Sequence, residues 1–365
     1  MSKIYTDEER MKIAKKQYEN LDLEGKVTIN NGSDTVGYVS QVNNKPTGEQ
    51  SFVITDKYVS PTASLGERNQ VQEITVLYRG STAPSIDNLF NPSHKDYDDV
   101  RKDWVHNDLP TAFQVLNGGA PVVTPQLQSS VDTLREVMKL YPNAQVNVYG
   151  HSLGSMNAQY AIANLDKKDI GRINGGFFYQ GPNVHSLLSL EQQDTINALN
   201  SLDRLFNYVD AKDLVPIGYG VGKSTIGHLI KVDGKKVGVV DQHMWGGYQF
   251  DEDGNLLTDK EGSLQLAKYT TNQQLSAINN LRKNFMKSGG GLSSSEAEIL
   301  TALSNGGATE AKIVTETVQE CEESLAEATK IEQEYDQLLQ QINEAIKNQV
   351  ETDQELAQQI GSLYG

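Results

Sequence analysis

Gly150-His151-Ser152-Leu153-Gly154 matches G-x-S-x-G, the pattern of a turn that presents a nucleophilic serine. Glycine is needed on both sides because the turn is tight and Cβ atoms would meet neighbouring backbone. The turn lifts the Ser152 hydroxyl above a sheet edge, and the N–H of Leu153 then faces the place where an oxyanion would form. A serine hydroxyl is a weak nucleophile until a base takes its proton, so an acid and a histidine must follow it in the order Ser…Asp…His. Downstream of Ser152 the chain holds three histidines, His185, His228 and His243. Two acids, Asp210 and Asp213, end the apolar run before Val215-Pro216. Asp213, with its Leu-Val-Pro suffix, is the first choice for the acid, and Asp210 is the alternative. His243 is the first choice for the base, with His228 as the alternative and His185 as the weakest claimant. His151 is expected to pack under the turn rather than to titrate.

These residues need a scaffold that brings them to one edge. Glu73 to Tyr78 reads as a buried strand, and the apolar face Leu127, Val131, Leu134 and Met138 marks a helix that ends before Pro142. Val146 to Tyr149 is a strand leading into the serine turn, and Met156 to Leu165 is an Ala-rich helix. Gly176 to Tyr179, Leu187 to Leu199 and Leu205 to Val209 repeat the alternation as strand, helix and strand. Strands alternating with helices at this pitch predict an α/β fold, a mostly parallel sheet covered on both faces. Short β-like runs fill residues 27 to 60 ahead of it. A hairpin is expected from Ile230 to Val239, turned by Asp233-Gly234, and another about Asp253-Gly254-Asn255. The N-terminus reads as a charged amphipathic helix.

Charge divides the chain. From Gly289 to the end there are fifteen Asp/Glu against three Lys/Arg, so −12 of the net −16 lies there and about −4 in residues 1–288. Ser288-Gly289-Gly290-Gly291 reads as a hinge. Past it, apolar positions from Val314 through Cys321, Leu325 and Tyr335 to Val350 recur at steps of three and four. That spacing predicts an all-α hairpin or coiled-coil-like tail over 289–365, whose seam must pack on a neighbour. An acidic chain is a poor partner for nucleic acid, because phosphate binding needs clustered Lys and Arg. A single cysteine, Cys321, excludes an intramolecular disulfide and a cysteine-rich metal site. No metal-binding or cofactor fingerprint is present, and no apolar leader or membrane-spanning run is read.

Four signals in order, Arg79-Gly80-Ser81, Asp103-Trp104 through Leu109, the serine turn, and Asp213-Leu214-Val215-Pro216, resemble the class 3 lipase family over roughly residues 70–250. The resemblance implies an α/β-hydrolase fold for residues 1–288. It implies an oxyanion hole from the N–H groups of Ser81 and Leu153, a mobile mouth at Asp103 to Leu109, and a triad of Ser152, Asp213 and His243. The substrate it implies is a lipid ester or phospholipid, cleaved in the lipase or phospholipase A1 sense without a cofactor. The loop from Thr82 to Lys102 is longer and more polar than the family's usual lid, and the interval from Asp213 to His243 is short. With its acidic helical tail the whole chain is similar to lipase toxins exported by the type VII secretion system of Gram-positive bacteria. That likeness implies export without a cleaved signal peptide, an LXG-like targeting region that binds small helical helper proteins, and an immunity protein in the producer. A cytoplasmic esterase with an oligomerising tail and a catalytically silent lipase-fold adaptor are the competing readings.

Overall fold

The computed structural model describes residues 3–80, 123–213, 215–219 and 223–260, together with residues 262, 263, 265, 266, 269, 273 and 330. Ser81, the segment Asp103 to Leu109, the hinge at Ser288 and, but for Lys330, the acidic tail lie outside the described residues. The chain divides into two compact units, Tyr5–Ser263 and a second formed by Met1–Ile4 with Leu264–Gly365. The described strands and the described candidate residues all belong to Tyr5–Ser263.

That unit is an α/β fold built on one eight-stranded mixed sheet whose spatial order follows chain order, β1 to β8. The first helix, α1 (Asp7–Lys15), carries a reciprocal cap between Thr6 and Glu9, with acids in its first turn and lysines in its last. A 3-10 turn, Lys16–Tyr18, continues it. The strands β1 (Lys26–Ile29), β2 (Asp34–Asn44) and β3 (Gln50–Thr55) then form an antiparallel meander. After a single helical turn, α2 (Leu65–Arg68), β4 (Glu73–Tyr78) pairs antiparallel with β3 and parallel with β5.

From there every pairing is parallel, and a parallel pair needs a crossover long enough to return the chain. The crossovers are α3 (Pro125–Leu140) between β4 and β5 (Gln145–His151), α4 (Leu153–Ala163) before β6 (Ile173–Tyr179), and α5 (Leu190–Asn200) before β7 (Leu205–Asp210). The last strand, β8 (His228–Val232), follows β7 through a loop. In α3 the buried side chains Leu127, Val131, Leu134, Val137 and Met138 form the expected stripe, and Thr124 caps the start by accepting from the Leu127 N–H. Fully burying each such side chain contributes about 1.5–3 kcal/mol. They join Met156, Ile162, Val148 and Phe178 in the main core, on the face covered by α3 and α4.

The opposite face is aromatic. Tyr149 stacks on Phe177 at 4.8 Å and Phe177 on Phe206 at 5.9 Å, while Tyr179 stacks on Tyr208 at 4.5 Å. The α1 side chain Arg10 lies 5.3 Å from the Phe177 ring centroid and is neutralised by Asp7 at 2.7 Å, both buried. The sheet is thus covered on both faces, as the alternation predicts.

The Ile230–Val239 hairpin does not form. The edge of β8 is taken instead by residues beyond the Asp253-Gly254 turn: the Asp233 N–H donates to Leu257 and the Asp259 N–H to Lys231. Backbone donors that would have made the hairpin go elsewhere, Lys235 to the Gly247 carbonyl and Val237 to the Gln242 side chain. The chain then closes a short helix, α6 (Val239–His243). The second expected turn is present, with the Asp251 N–H donating to Asn255 and a bridge between Phe250 and Leu256.

Candidate active site

The register aligns the ends of the parallel strands: Tyr78 lies opposite Gly150, His151 opposite Tyr179, and Tyr179 opposite Tyr208. Whatever follows these strands therefore converges at one carboxyl edge, the edge where open α/β sheets build their sites. Gly80 leaves β4 there, Ser152 leaves β5 and Asp213 leaves β7.

Ser152 sits between β5 and α4 at φ 57° and ψ −127°. A non-glycine residue in this region costs about 1–3 kcal/mol and persists only where its surroundings impose it. Here they do. Its N–H donates to the Tyr179 carbonyl at 2.9 Å, and its own carbonyl accepts from Ser155 at 3.0 Å. The glycines of the motif stack on one another. A Cβ on Gly150 would meet the Gly154 carbonyl, and one on Gly154 would meet the backbone of Tyr78. The first turn of α4 thus lies directly on the ends of β4 and β5. Leu153 opens α4, so its N–H has no carbonyl one turn back within that helix.

Asp213 and His243 meet. His243 Nδ1 donates to Asp213 Oδ2 at 2.7 Å, and the second carboxylate oxygen accepts from the Val215 N–H at 3.0 Å. A carboxylate at Nδ1 places the proton there and leaves the lone pair on Nε2, the nitrogen a general base uses. Ser152, Asp213 and His243 are each buried, at 6%, 8% and 8% exposure, so charge at this edge is poorly screened by water.

Asp210 has a different task. Its carboxylate accepts from the Gln242 side chain and from the Lys212 N–H. It thereby fastens the residue before His243. His228 begins β8 and so lies at the amino end of the parallel strands, where it pairs with Asp203 at 2.8 Å. His185 lies in a 3-10 turn after β6, and partial burial lowers its pKa. Of the sequence-derived candidates, the structure pairs Asp213 with His243 and sets the His243 ring 4.6 Å from that of His151, the neighbour of Ser152, while Ser81 falls outside the described residues.

His151 packs under the turn. Its ring lies 3.9 Å from Trp245 and 4.6 Å from His243, centroid to centroid. Burial, then the neighbouring His243, holds its pKa well below the usual histidine value, so it is neutral. Three residues that the sequence did not flag support this edge. Tyr18 meets His151 Nδ1 at 2.7 Å, the Gln17 side chain accepts from the Gly80 N–H at 3.2 Å, and Gln242 ties Asp210 to the turn before His243. Tyr18 is separated from His151 by 133 positions, and no local pattern could link them. Among the described residues, no group of three or more His, Cys, Asp or Glu side chains could hold a metal ion.

No family model matches the chain, and no curated protein sequence matches it. Among solved structures, a mutant MDLA from Penicillium cyclopium is similar at 15% identity with a TM-score of 0.36, over 68% of this chain and 82% of that one. A likeness that distant carries no argument about chemistry.

Proposed function

We propose that this protein is a serine carboxylic-ester hydrolase acting on lipid esters, in the lipase or phospholipase A1 sense, and that its catalytic unit is of the α/β-hydrolase type. The observation that carries the reading is the conjunction of a strained, buried serine between β5 and α4 with a buried Asp–His pair at 2.7 Å on the same sheet edge.

The reaction is a two-step acyl transfer. His243 Nε2 takes the proton from Ser152 Oγ as the oxygen attacks the ester carbonyl carbon. The carbonyl oxygen becomes an anion, stabilised by the Leu153 N–H and by that of Ser81, each donor lowering the barrier by about 3 kcal/mol. Asp213 holds the imidazole in the tautomer that accepts at Nε2 and stabilises the imidazolium. Collapse expels the alcohol, which receives the proton from His243. Water, deprotonated by the same nitrogen, then releases the acid and restores Ser152.

The acidic tail as an export-targeting region, with helical helper partners and an immunity protein, belongs to this proposal and rests on the chain's likeness to type VII-exported lipase toxins. The test is hydrolysis of short- and long-chain esters and of phospholipid vesicles by the full chain beside Ser152→Ala. Turnover lost in the variant supports the reading, and the substrate profile separates lipase, phospholipase and small-ester esterase. Equal turnover in both proteins, or none in either, would sink it in favour of a silent adaptor.

A further inference from the structure

The short helix that carries the base cannot fix its own end. α6 spans five residues, and the last carbonyls of any helix lack partners within it. One of them belongs to His243 itself. That carbonyl oxygen lies 2.8 Å from His151 Nε2, and a carbonyl only accepts, so His151 donates there. A neutral imidazole with its proton on Nε2 has a lone pair on Nδ1, and Tyr18 Oη lies 2.7 Å from that atom. The phenol therefore donates, and both hydrogen bonds have a defined direction.

We propose that Tyr18 and His151 are positioning residues, a buried neutral relay that runs from the N-terminal segment through the serine turn to the main chain of the base. The inference rests on the reading of His243 as the base. It gives the segment from α1 to Tyr18 a part in the active site that goes beyond covering the sheet. Gln17, fully buried, holds the Gly80 N–H while the next residue, Tyr18, holds His151. One 3-10 turn thus grips the end of β4, which leads to Ser81, and the histidine next to Ser152. A Cβ on Gly80 would strike Tyr18 Oη and the His151 carbonyl, so these groups are already in contact. Above them Trp245 lies on the His151 ring, and Lys15 Nζ stands 5.6 Å from the Trp245 centroid. The same N-terminal stretch also ties down the chain beyond the base, with Glu8 donating to Gly254 and Asp7 accepting from Leu256. Losing the relay leaves the bond to Asp213 possible but frees the main chain of His243. A displacement of about 1 Å at a reacting group costs up to about 100-fold in rate.

The experiment is nitrogen-15 imidazole NMR of the full chain, run beside fluorophosphonate labelling and ester hydrolysis, for wild type, Tyr18→Phe, His151→Phe and His151→Gln. Tyr18→Phe deletes one oxygen and is the variant that keeps the fold. The relay requires His151 to be neutral with its proton on Nε2 at about pH 6, close to where a free histidine titrates. It requires Tyr18→Phe to change the His243 imidazole nitrogen signals and to slow labelling by about 10- to 100-fold. His151→Gln, which keeps an N–H donor, must recover part of what His151→Phe loses. A proton on His151 Nδ1, or His243 imidazole nitrogen signals identical in wild type and Tyr18→Phe, overturns the relay whether or not the protein hydrolyses esters. If nothing is hydrolysed or labelled while the His243 imidazole nitrogen signals change in Tyr18→Phe, the relay stands and the hydrolase reading falls.

Discussion

At the scale of residues, the two acids at the end of β7 and just beyond it have separable tasks. Asp213 bonds His243, while Asp210 holds Gln242 and the Lys212 N–H. Asp213→Asn is expected to lower kcat by roughly 1,000- to 10,000-fold with little change in melting temperature, because an amide disturbs the tautomer but fills the same space. Asp210→Asn turns an acceptor into a donor facing the Gln242 amide. It should cost about 1–3 kcal/mol in urea unfolding, with a smaller loss of kcat. Kinetics and unfolding run on both variants check the division, and a reversed pattern contradicts it. His151 adds a pH effect whose sign follows from burial. Its folded pKa is lowered, so below the unfolded value the unfolded chain binds more protons. Stability therefore falls as pH drops from about 6.5 toward the depressed folded pKa, by up to about 1.4 kcal/mol per unit. Urea unfolding from pH 7 down to 5 should show a shallower loss in His151→Gln than in wild type.

At the scale of elements, the turn between β5 and α4 depends on how closely α4 approaches β4. Gly154→Ala places a methyl against the Tyr78 backbone, which cannot yield as a side-chain tip could. Overpacking of this kind costs about 1–3 kcal/mol, occasionally more, and here it also displaces Leu153 and Ser152. The expected outcome is a lower melting temperature together with lost turnover; an unchanged protein on both counts refutes the packing account. The same elements explain what the sequence made legible. β4, α3, β5, α4, β6, α5 and β7 declare themselves through local period, and the glycine spacing marks the serine turn. The failed hairpin at Ile230–Val239 shows the limit. Asp233-Gly234 is a sound local turn signal, yet β8 is paired by residues 257–259, which local reasoning cannot see. Tyr18, Gln17 and Gln242 escape for the same reason, since the contacts by which each supports this edge, to His151, Gly80 and Asp210, are distant in sequence.

At the scale of the molecule, the described site residues all lie within Tyr5–Ser263, and most of the net negative charge lies from Gly289 on. A chain ending at Ser288 is expected to keep kcat/KM on a soluble short-chain ester within about two-fold while shedding −12 of its −16 charge. Steady-state kinetics on the shortened and full chains check this, and loss of turnover on the short ester would make the tail part of the catalytic unit. The central claim, that Ser152 is a nucleophile activated by the Asp213–His243 pair, is tested most directly by covalent capture. The full chain is treated with a fluorophosphonate, and the adduct is located by peptide mass spectrometry in wild type, Ser152→Ala and Asp213→Asn. The account predicts one adduct, on Ser152, absent from Ser152→Ala and formed far more slowly in Asp213→Asn. An adduct on another residue, or wild-type labelling no faster than that of Asp213→Asn, would contradict it.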